Sequence, residues 1–199
     1  MTNDGKAQNI VSPEMSTDAD SLMKSAARAA KKGPPPVHLW NPPFCGDIDM
    51  RIARDGAWFY MGTPIGRPAM VKLFSSILKK EGDAYFLVTP VEKVGIIVDD
   101  APFVAVDFTV SGEGEAQEIT FATHVGDSVT AGPDHAIRVE TGADGEPAPY
   151  IHVRAGLEAL IDRKSFYRLV ELGEEQDGWF GVRSGGAFFP MIDAGQMQG

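Results

Sequence analysis

An α+β fold built from two related units is what the sequence predicts, on three observations. Short segments alternate apolar and polar residues between Gly, Pro and Asp-Gly turns, which is strand chemistry. One stretch, Arg67 to Lys80, instead spaces Met70, Leu73, Phe74, Ile77 and Leu78 along one face of a helix. Three blocks then recur in the same order. Arg51-Ile52, Asp55-Gly56 and Trp58–Gly62 match Arg138-Val139, Asp144-Gly145 and Tyr150–Arg154; Arg67-x-x-Met70-Val71-x-Leu73-Phe74 matches Arg163-x-x-Phe166-Tyr167-x-Leu169-Val170; Asp83–Val88 matches Asp177–Val182. The predicted unit is a β-hairpin, one principal helix and a closing β-hairpin, with extra strands in the second, β-rich copy. The alternative is two unrelated α+β halves of similar local chemistry, because strand–turn–strand–helix is a common order.

Residues 1–36 are read as a disordered leader plus a short helix. The first seventeen are polar and aperiodic. Asp18 to Lys32 is Ala-rich, with Thr17 as a candidate N-cap, Leu22, Ala26 and Ala29 on one face, and Gly33 followed by three prolines as the stop. Its basic residues could suggest a membrane surface, but the apolar face is mostly Ala, which fits a helix docked on the domain or fraying. The first α+β unit spans 37–98. Val37 to Cys45 is an extended, proline-bearing arm. Ile48, Met50 and Ile52 begin a hairpin that turns at Asp55-Gly56 and returns through Ala57–Met61. The loop Gly62-Thr63-Pro64-Ile65-Gly66 leads into the helix, with Pro68 in its first turn and Gly82 as its stop. Tyr85–Thr89 and Val94–Val98 are the closing strands. The second, larger unit spans 99–199 and begins with strands Phe103–Val110 and Glu118–His124.

Composition narrows the function classes. With 43% hydrophobic and 23% charged residues, collagen-like, disordered and membrane-embedded readings of the whole chain are excluded. The single cysteine, Cys45, rules out an intramolecular disulfide and suits a reducing cytosol. No apolar run approaches the ~20 residues of a membrane helix, so a cytoplasmic location is expected. The net charge of −10 disfavours nucleic-acid polymers as partners. It is unevenly spread: residues 41–98 hold seven Lys+Arg against six Asp+Glu, whereas 99–199 hold six against eighteen. A small anion is therefore favoured against the first half and repelled by the second.

The string Trp40-Asn41-Pro42-Pro43-Phe44-Cys45-Gly46-Asp47-Ile48-Asp49, followed by Arg54-Asp55-Gly56-x-Trp58-Phe59-Tyr60-x-Gly62-Thr63-Pro64-Ile65-Gly66-Arg67, resembles the bacterial family known as domain of unknown function 1285. Phe86–Lys93 and Asp100–Phe103 are similar to the same family, and the resemblance runs from about Val37 to the C-terminus. It implies a duplicated core, a C-terminal part loosely like a pleckstrin-homology roll, and a nucleotide-like ligand at the domain interface in a signalling role. It implies no reaction.

The residues offer one principal site. Gly62 to Arg67 opens a helix whose unpaired amides, flanking glycines and arginine suit a phosphate or carboxylate. The loop lacks the spacing and Gly-Lys-Ser/Thr ending of a P-loop, and a tight turn with a solvated or ion-paired arginine explains it as well. Trp40, Trp58, Tyr60 and Tyr85 could stack a base or fill the core. Asp47 and Asp49 share a strand face without a third ligand, and His38, His124, His135 and His152 show no metal-binding spacing, so neither a metal nor a cofactor is expected. Cys45 has no histidine at a recognisable catalytic spacing and reads as structural. Glu92-Lys93 reads as a surface pair.

The expected ligand site is the cleft between the units, lined by Trp40, Trp58, Tyr60, Thr63, Arg67 and Lys93 and faced by Asp100, Pro102 and Arg163. The expected function is non-enzymatic binding of a small anionic, nucleotide-like ligand in a signalling role. An enzyme acting on a small phosphorylated or acyl substrate in the same cleft and a protein–protein adaptor are the alternatives. Replacing Arg67 with Ala should weaken a bound phosphate by about 1.5–3 kcal/mol, roughly 10- to 150-fold in affinity, with little effect on folding. Unfolding of Arg67→Ala with affinity intact in the folded fraction would make the residue structural.

Overall fold

In the computed structural model the described residues are 19–31, 33–142 and 145–195; the leader 1–17, the cap Thr17, and Asp18, Lys32 and Asp144 lie outside them. The fold is α+β and mostly strand. A first sheet contains β1 (Phe44–Ile52), β2 (Trp58–Tyr60), β3 (Thr63–Pro64), β4 (Leu78–Glu81), β5 (Ala84–Val88) and β6 (Lys93–Val98). A second contains β7 (Phe103–Ser111), β8 (Glu118–Thr123), β9 (Ser128–Thr130), β10 (Ile137–Thr141), β11 (Pro147–Arg154) and β12 (Leu157–Ile161). A small third sheet is the meander β13 (Glu174–Gln176), β14 (Trp179–Ser184) and β15 (Ala187–Asp193). Helices α1 (Ala19–Ala30), α2 (Pro68–Ser76) and α3 (Arg163–Val170) complete the described elements, with two one-turn 3-10 helices.

The two large sheets follow the same path. Their strand orders are β3-β2-β1-β6-β5-β4 and β10-β11-β12-β7-β8-β9. In each, one three-strand meander is followed by another, and the last strand returns parallel beside the first: Ile52 pairs Val98, and Ala159 pairs Phe103. The sequence blocks matched β1–β2 with β10–β11 and α2 with α3. Chain order agrees, since both segments run through three strands, a helix and three strands. Hydrogen bonding differs, because β12 closes on β7 and leaves β13–β15 as a separate sheet. Asp-Gly turns and helix faces record local geometry, whereas the partner of a strand is decided by distant residues.

Two predicted elements change extent. α2 ends at Ser76, where the expected helix ran to Lys80; Leu78–Glu81 is strand β4, paired with β5 from Leu78↔Leu87 to Glu81↔Ala84. Ile77 and Leu78 prolong an apolar pattern that suits a helix face as well as a sheet, and ladder pairing with β5 decides it. The Val37–Cys45 arm makes a 3-10 turn at Val37–Leu39 and enters β1 at Phe44. Glu92, expected at the surface, is buried at 4% exposure, its N–H donating to Thr89 Oγ1 at 3.2 Å.

One contiguous core runs through both halves. Met50, Ile52, Trp58, Phe74 and Leu87 from the first sheet and α2 join Phe103, Phe121, Ile151 and Leu157 from the second. Burying each such large side chain contributes about 1.5–3 kcal/mol. α1 docks on α2 and buries Ala19, Leu22 and Ala26. Polar struts tie the halves together. Arg154 bridges Asp127 at 2.5 Å and the Ser75 carbonyl at 2.8 Å while its guanidinium lies over the Phe103 ring. In the β6–β7 linker, Asp100 pairs with Arg54 at 2.9 Å and accepts the Tyr150 hydroxyl at 2.8 Å.

The tip of the β1–β2 hairpin is wedged against the second half. Gly56 there has φ +85°, and a Cβ on it would come within 2.9 Å of His124 Nε2 and 3.1 Å of Val104 Cγ2. The Val104 N–H donates to His124 Nδ1 at 3.1 Å, so the neutral ring carries its proton on Nε2. Burial pushes the His124 pKa down from its ordinary 6.5.

Gly56→Ala should cost about 1–3 kcal/mol, through positive-φ strain and the clash with His124; an unchanged urea midpoint would show that the tip has room to spare. His124 also makes stability depend on pH. The unfolded chain binds the proton more readily, so the stabilisation is fully present above pH about 6.5 and is lost as pH falls below it. Wild type should therefore lose more stability between pH 7 and pH 5 than His124→Asn, whose side-chain oxygen can still accept the Val104 N–H. Parallel losses in urea titrations would assign the acid sensitivity elsewhere.

Candidate functional site

The wedged hairpin tip divides the junction between the halves into two clefts of opposite character. One, of about 500 Å³, is lined by Gly56, Trp58, Ile65, Gly66, Pro68, Ala69 and Lys72 from the first half and by His124, Val125 and Gly126 from the second. The other, of about 800 Å³, takes Arg54 and Asp55 from the tip and its remaining walls from the second half, including Val104, Val106, Glu146, Asp162, Arg163 and Tyr167.

The smaller cleft is rich in hydrogen-bond donors. Trp58 is 2% exposed and stacked on Phe74, with centroids 6.2 Å apart, and its Nε1–H has no partner. His124 Nε2 is buried against the Gly56 backbone, which is its nearest polar neighbour and holds up the basicity that burial lowers. Lys72 is exposed on α2, its Nζ 3.4 Å from where a Cβ of Gly126 would lie, and no carboxylate pairs with it among the described residues. Ala69 is the second residue of the helix, where the N–H has no intrahelical acceptor. No Asp or Glu lines this cleft. In the larger cleft, Arg54 is paired with Asp100 and Arg163 with Glu146, while Asp55 and Asp162 add carboxylates. An anion entering it meets cations already neutralised.

The structure distributes the expected site residues among several places. Trp58, Tyr60, Thr63 and Arg67 gather at one end of the first sheet: Tyr60 pairs Met50 and Thr63 pairs Tyr60. Thr63 and Arg67 are exposed. Arg67 precedes Pro68 in extended conformation, caps α2 without a side-chain bond, and lies one residue outside the cleft lining. Trp40 is half-buried, and its carbonyl accepts Lys79 Nζ at 3.3 Å. Lys93 is elsewhere: it pairs Phe44 at the start of β1, six residues from Met50, or roughly 20 Å along the strand. There it binds Glu81 at 2.8 Å and lies over the Phe86 ring, and with Lys79 it holds the Glu81 carboxyl below its ordinary pKa. Asp100 is engaged by Arg54 and Tyr150, whose hydroxyl is pushed up to about 12 by burial and by that carboxylate. Pro102 is buried in the linker, and Arg163 opens α3 in the larger cleft.

Lys72 and His124 were not in the expected site. Lys72 is the one charged residue of α2, which was the available signal. Several of the other singled-out side chains have structural neighbours. Asp47 lies across Gly95, where a Cβ would meet its Oδ1 at 2.0 Å. The Cys45 thiol contacts the Pro43 carbonyl at 3.5 Å. The His135 and His152 rings stack 5.7 Å apart, and His152 accepts the Gly156 N–H. Among the described residues no cluster of three His, Cys, Asp or Glu side chains could hold a metal, and no helix is long and apolar enough to cross a membrane.

Comparison with known proteins bears on both halves. Residues 35–101 match the family model described as domain of unknown function (DUF1285), N-terminal domain, and residues 102–191 match the DUF1285 C-terminal domain. A crystal structure of a DUF1285 family protein from Silicibacter pomeroyi DSS-3 is 68% identical over 89% of this chain and 98% of that one, with a TM-score of 0.85. A DUF1285 family protein from Shewanella baltica OS155 is 31% identical over 61% of this chain and 90% of its own, with a TM-score of 0.49. No curated protein matches. With both family models matched over consecutive stretches and a relative superposing along nearly the whole chain, the protein belongs to the DUF1285 family.

Proposed function

We propose that this chain is a non-enzymatic binding protein that takes a small anionic, nucleotide-like ligand in the donor-rich cleft beside the β1–β2 tip, in a signalling role. In this reading its two halves are duplicated units, the second loosely like a pleckstrin-homology roll, and the ligand occupies their junction. The observation that carries the reading is the buried Trp58 Nε1–H, without an acceptor in the wall of a cleft that holds Lys72 and is lined by no carboxylate. An unsatisfied buried donor costs about 1–3 kcal/mol, and a phosphate or carboxylate oxygen is the acceptor that recovers it with charge assistance. The volume of about 500 Å³ is within the range of small-ligand pockets. Arg67, exposed at the start of α2, provides a second cation at the rim.

A thermal-shift series with inorganic phosphate, pyrophosphate, AMP and GTP tests this. At least one probe should raise the melting temperature in a concentration-dependent way. Lys72→Ala should weaken that probe about tenfold while leaving the unliganded melting temperature within a degree or two of wild type, since the side chain is exposed. Indifference of the wild-type protein to every probe at millimolar concentration would overturn the reading, as would a shift that Lys72→Ala leaves untouched.

A further inference from the structure

We propose, resting on the reading of the smaller cleft as an anion site, that the ligand is a dinucleotide, with its phosphate bridge at Lys72 and one base in each of two cavities that meet there. The second cavity, of about 540 Å³, lies between the exit of α1 and α2 and is lined by Ala30, Pro34, Pro35, Leu73, Asp127 and Arg154 among others. It adjoins the smaller cleft along both walls. Ala69 and Lys72 of α2 line both cavities, and Gly126 of the first is followed in the chain by Asp127 of the second. The two spaces are the ends of one trough, with α2 along one wall and the turn after β8 along the other.

Charge sets the order of groups in the ligand. Asp127 and Arg154 pair at 2.5 Å and cancel, so among the described residues Lys72 is the one unpaired cation lining the trough. Its Nζ is 3.4 Å from where a Cβ of Gly126 would lie, which puts the ammonium across the middle of the trough rather than at either end. A ligand that matches this carries its negative charge centrally and an uncharged group on each side. The ends suit flat apolar rings. Pro64, Ile65 and Pro68 line one, and Pro34, Pro35 and Leu73 the other. Asp127 and Arg154 are partly exposed there and offer an acceptor and a donor that the polar edge of a base meets and an acyl chain leaves unused. A mononucleotide fills one end only.

Isothermal titration of the full chain compares AMP and GMP with diadenosine and diguanosine diphosphate, in which a bridging diphosphate carries the same formal charge as the phosphate of the mononucleotide. At least one dinucleotide should bind about tenfold or more tightly than its mononucleotide, because a second base is held at no added charge. Lys72→Ala should weaken both members of that pair about tenfold. Pro34→Trp, at an exposed residue that lines the second cavity and not the first, should bring the dinucleotide down to the affinity of the mononucleotide while leaving the mononucleotide and the unliganded melting temperature unchanged. Equal wild-type affinities for mononucleotide and dinucleotide, binding of inorganic phosphate without either, or a Pro34→Trp protein of unchanged melting temperature that keeps the full preference would each overturn the dinucleotide class and leave the anion site standing. The comparison on the wild-type chain decides the matter even if Pro34→Trp melts early. Indifference of the wild-type chain to inorganic phosphate, to every nucleotide and to both dinucleotides would remove the anion site, and this inference with it.

Discussion

The junction between the halves exists in its present form because residue 56 has no side chain. The β1–β2 turn needs a residue at φ +85° to reverse direction, and the same residue must let His124 and Val104 approach its backbone. Glycine meets both demands at once. Its neighbours in the turn are held locally, with Ala57 N–H bonded to Asp55 Oδ1 at 3.0 Å and Gly56 N–H to the Ala53 carbonyl at 2.9 Å. The tip is thus a rigid wedge, and the volumes on either side of it are defined by where that wedge stops. Arg154 and Asp100 then hold the halves in the position the wedge requires.

The two sides of the wedge differ because their polar groups have been satisfied differently. On the Arg54 side every cation has a carboxylate within reach, so that surface is electrostatically closed and gains little from another ion. On the Trp58 side the polar side chains are donors, and the buried Trp58 Nε1–H is unmatched. Native structures seldom leave such groups without a reason, because the cost of an orphaned donor exceeds the gain from an ordinary surface ion pair. The uneven charge of the chain reinforces the contrast: the half that supplies Lys72 and α2 is close to neutral, and the half beyond it is strongly acidic.

Local chemistry was legible in the sequence; pairing over distance was not. Alternation placed β2, β5, β6, β7 and β8 within a residue or two and the end of β1, whose first four residues were read as part of the extended arm and the link after it, and Asp55-Gly56 located the turn that proved to be the wedge. β4 was hidden because Ile77 and Leu78 continue the spacing of α2, and β9 because it is only three residues long; β12 was missed although Leu157, Ala159 and Ile161 alternate along one face. For the site, Trp58 and the loop into α2 were found from aromatic and glycine content. Lys93 was included with them although β1 places it at the far end of the sheet, since sequence proximity to the linker says nothing about register. His124 was weighed only as a metal ligand, and its role at the junction depends on a Gly56 contact sixty-eight positions away in the chain.

Each large sheet closes by setting its first strand beside its last, and that closure bears on how the chain reaches its native state. β1 cannot gain its parallel neighbour until β6 has been made, and Phe103 must wait for Ala159. Until then both strands expose an unpaired edge, and the entropy of closing the intervening loop is lost before the parallel ladder returns any stability. Contacts this far apart in sequence raise contact order, so folding belongs on the slow side for a chain of this size, with α2 and the local hairpins forming ahead of the ladders that join them.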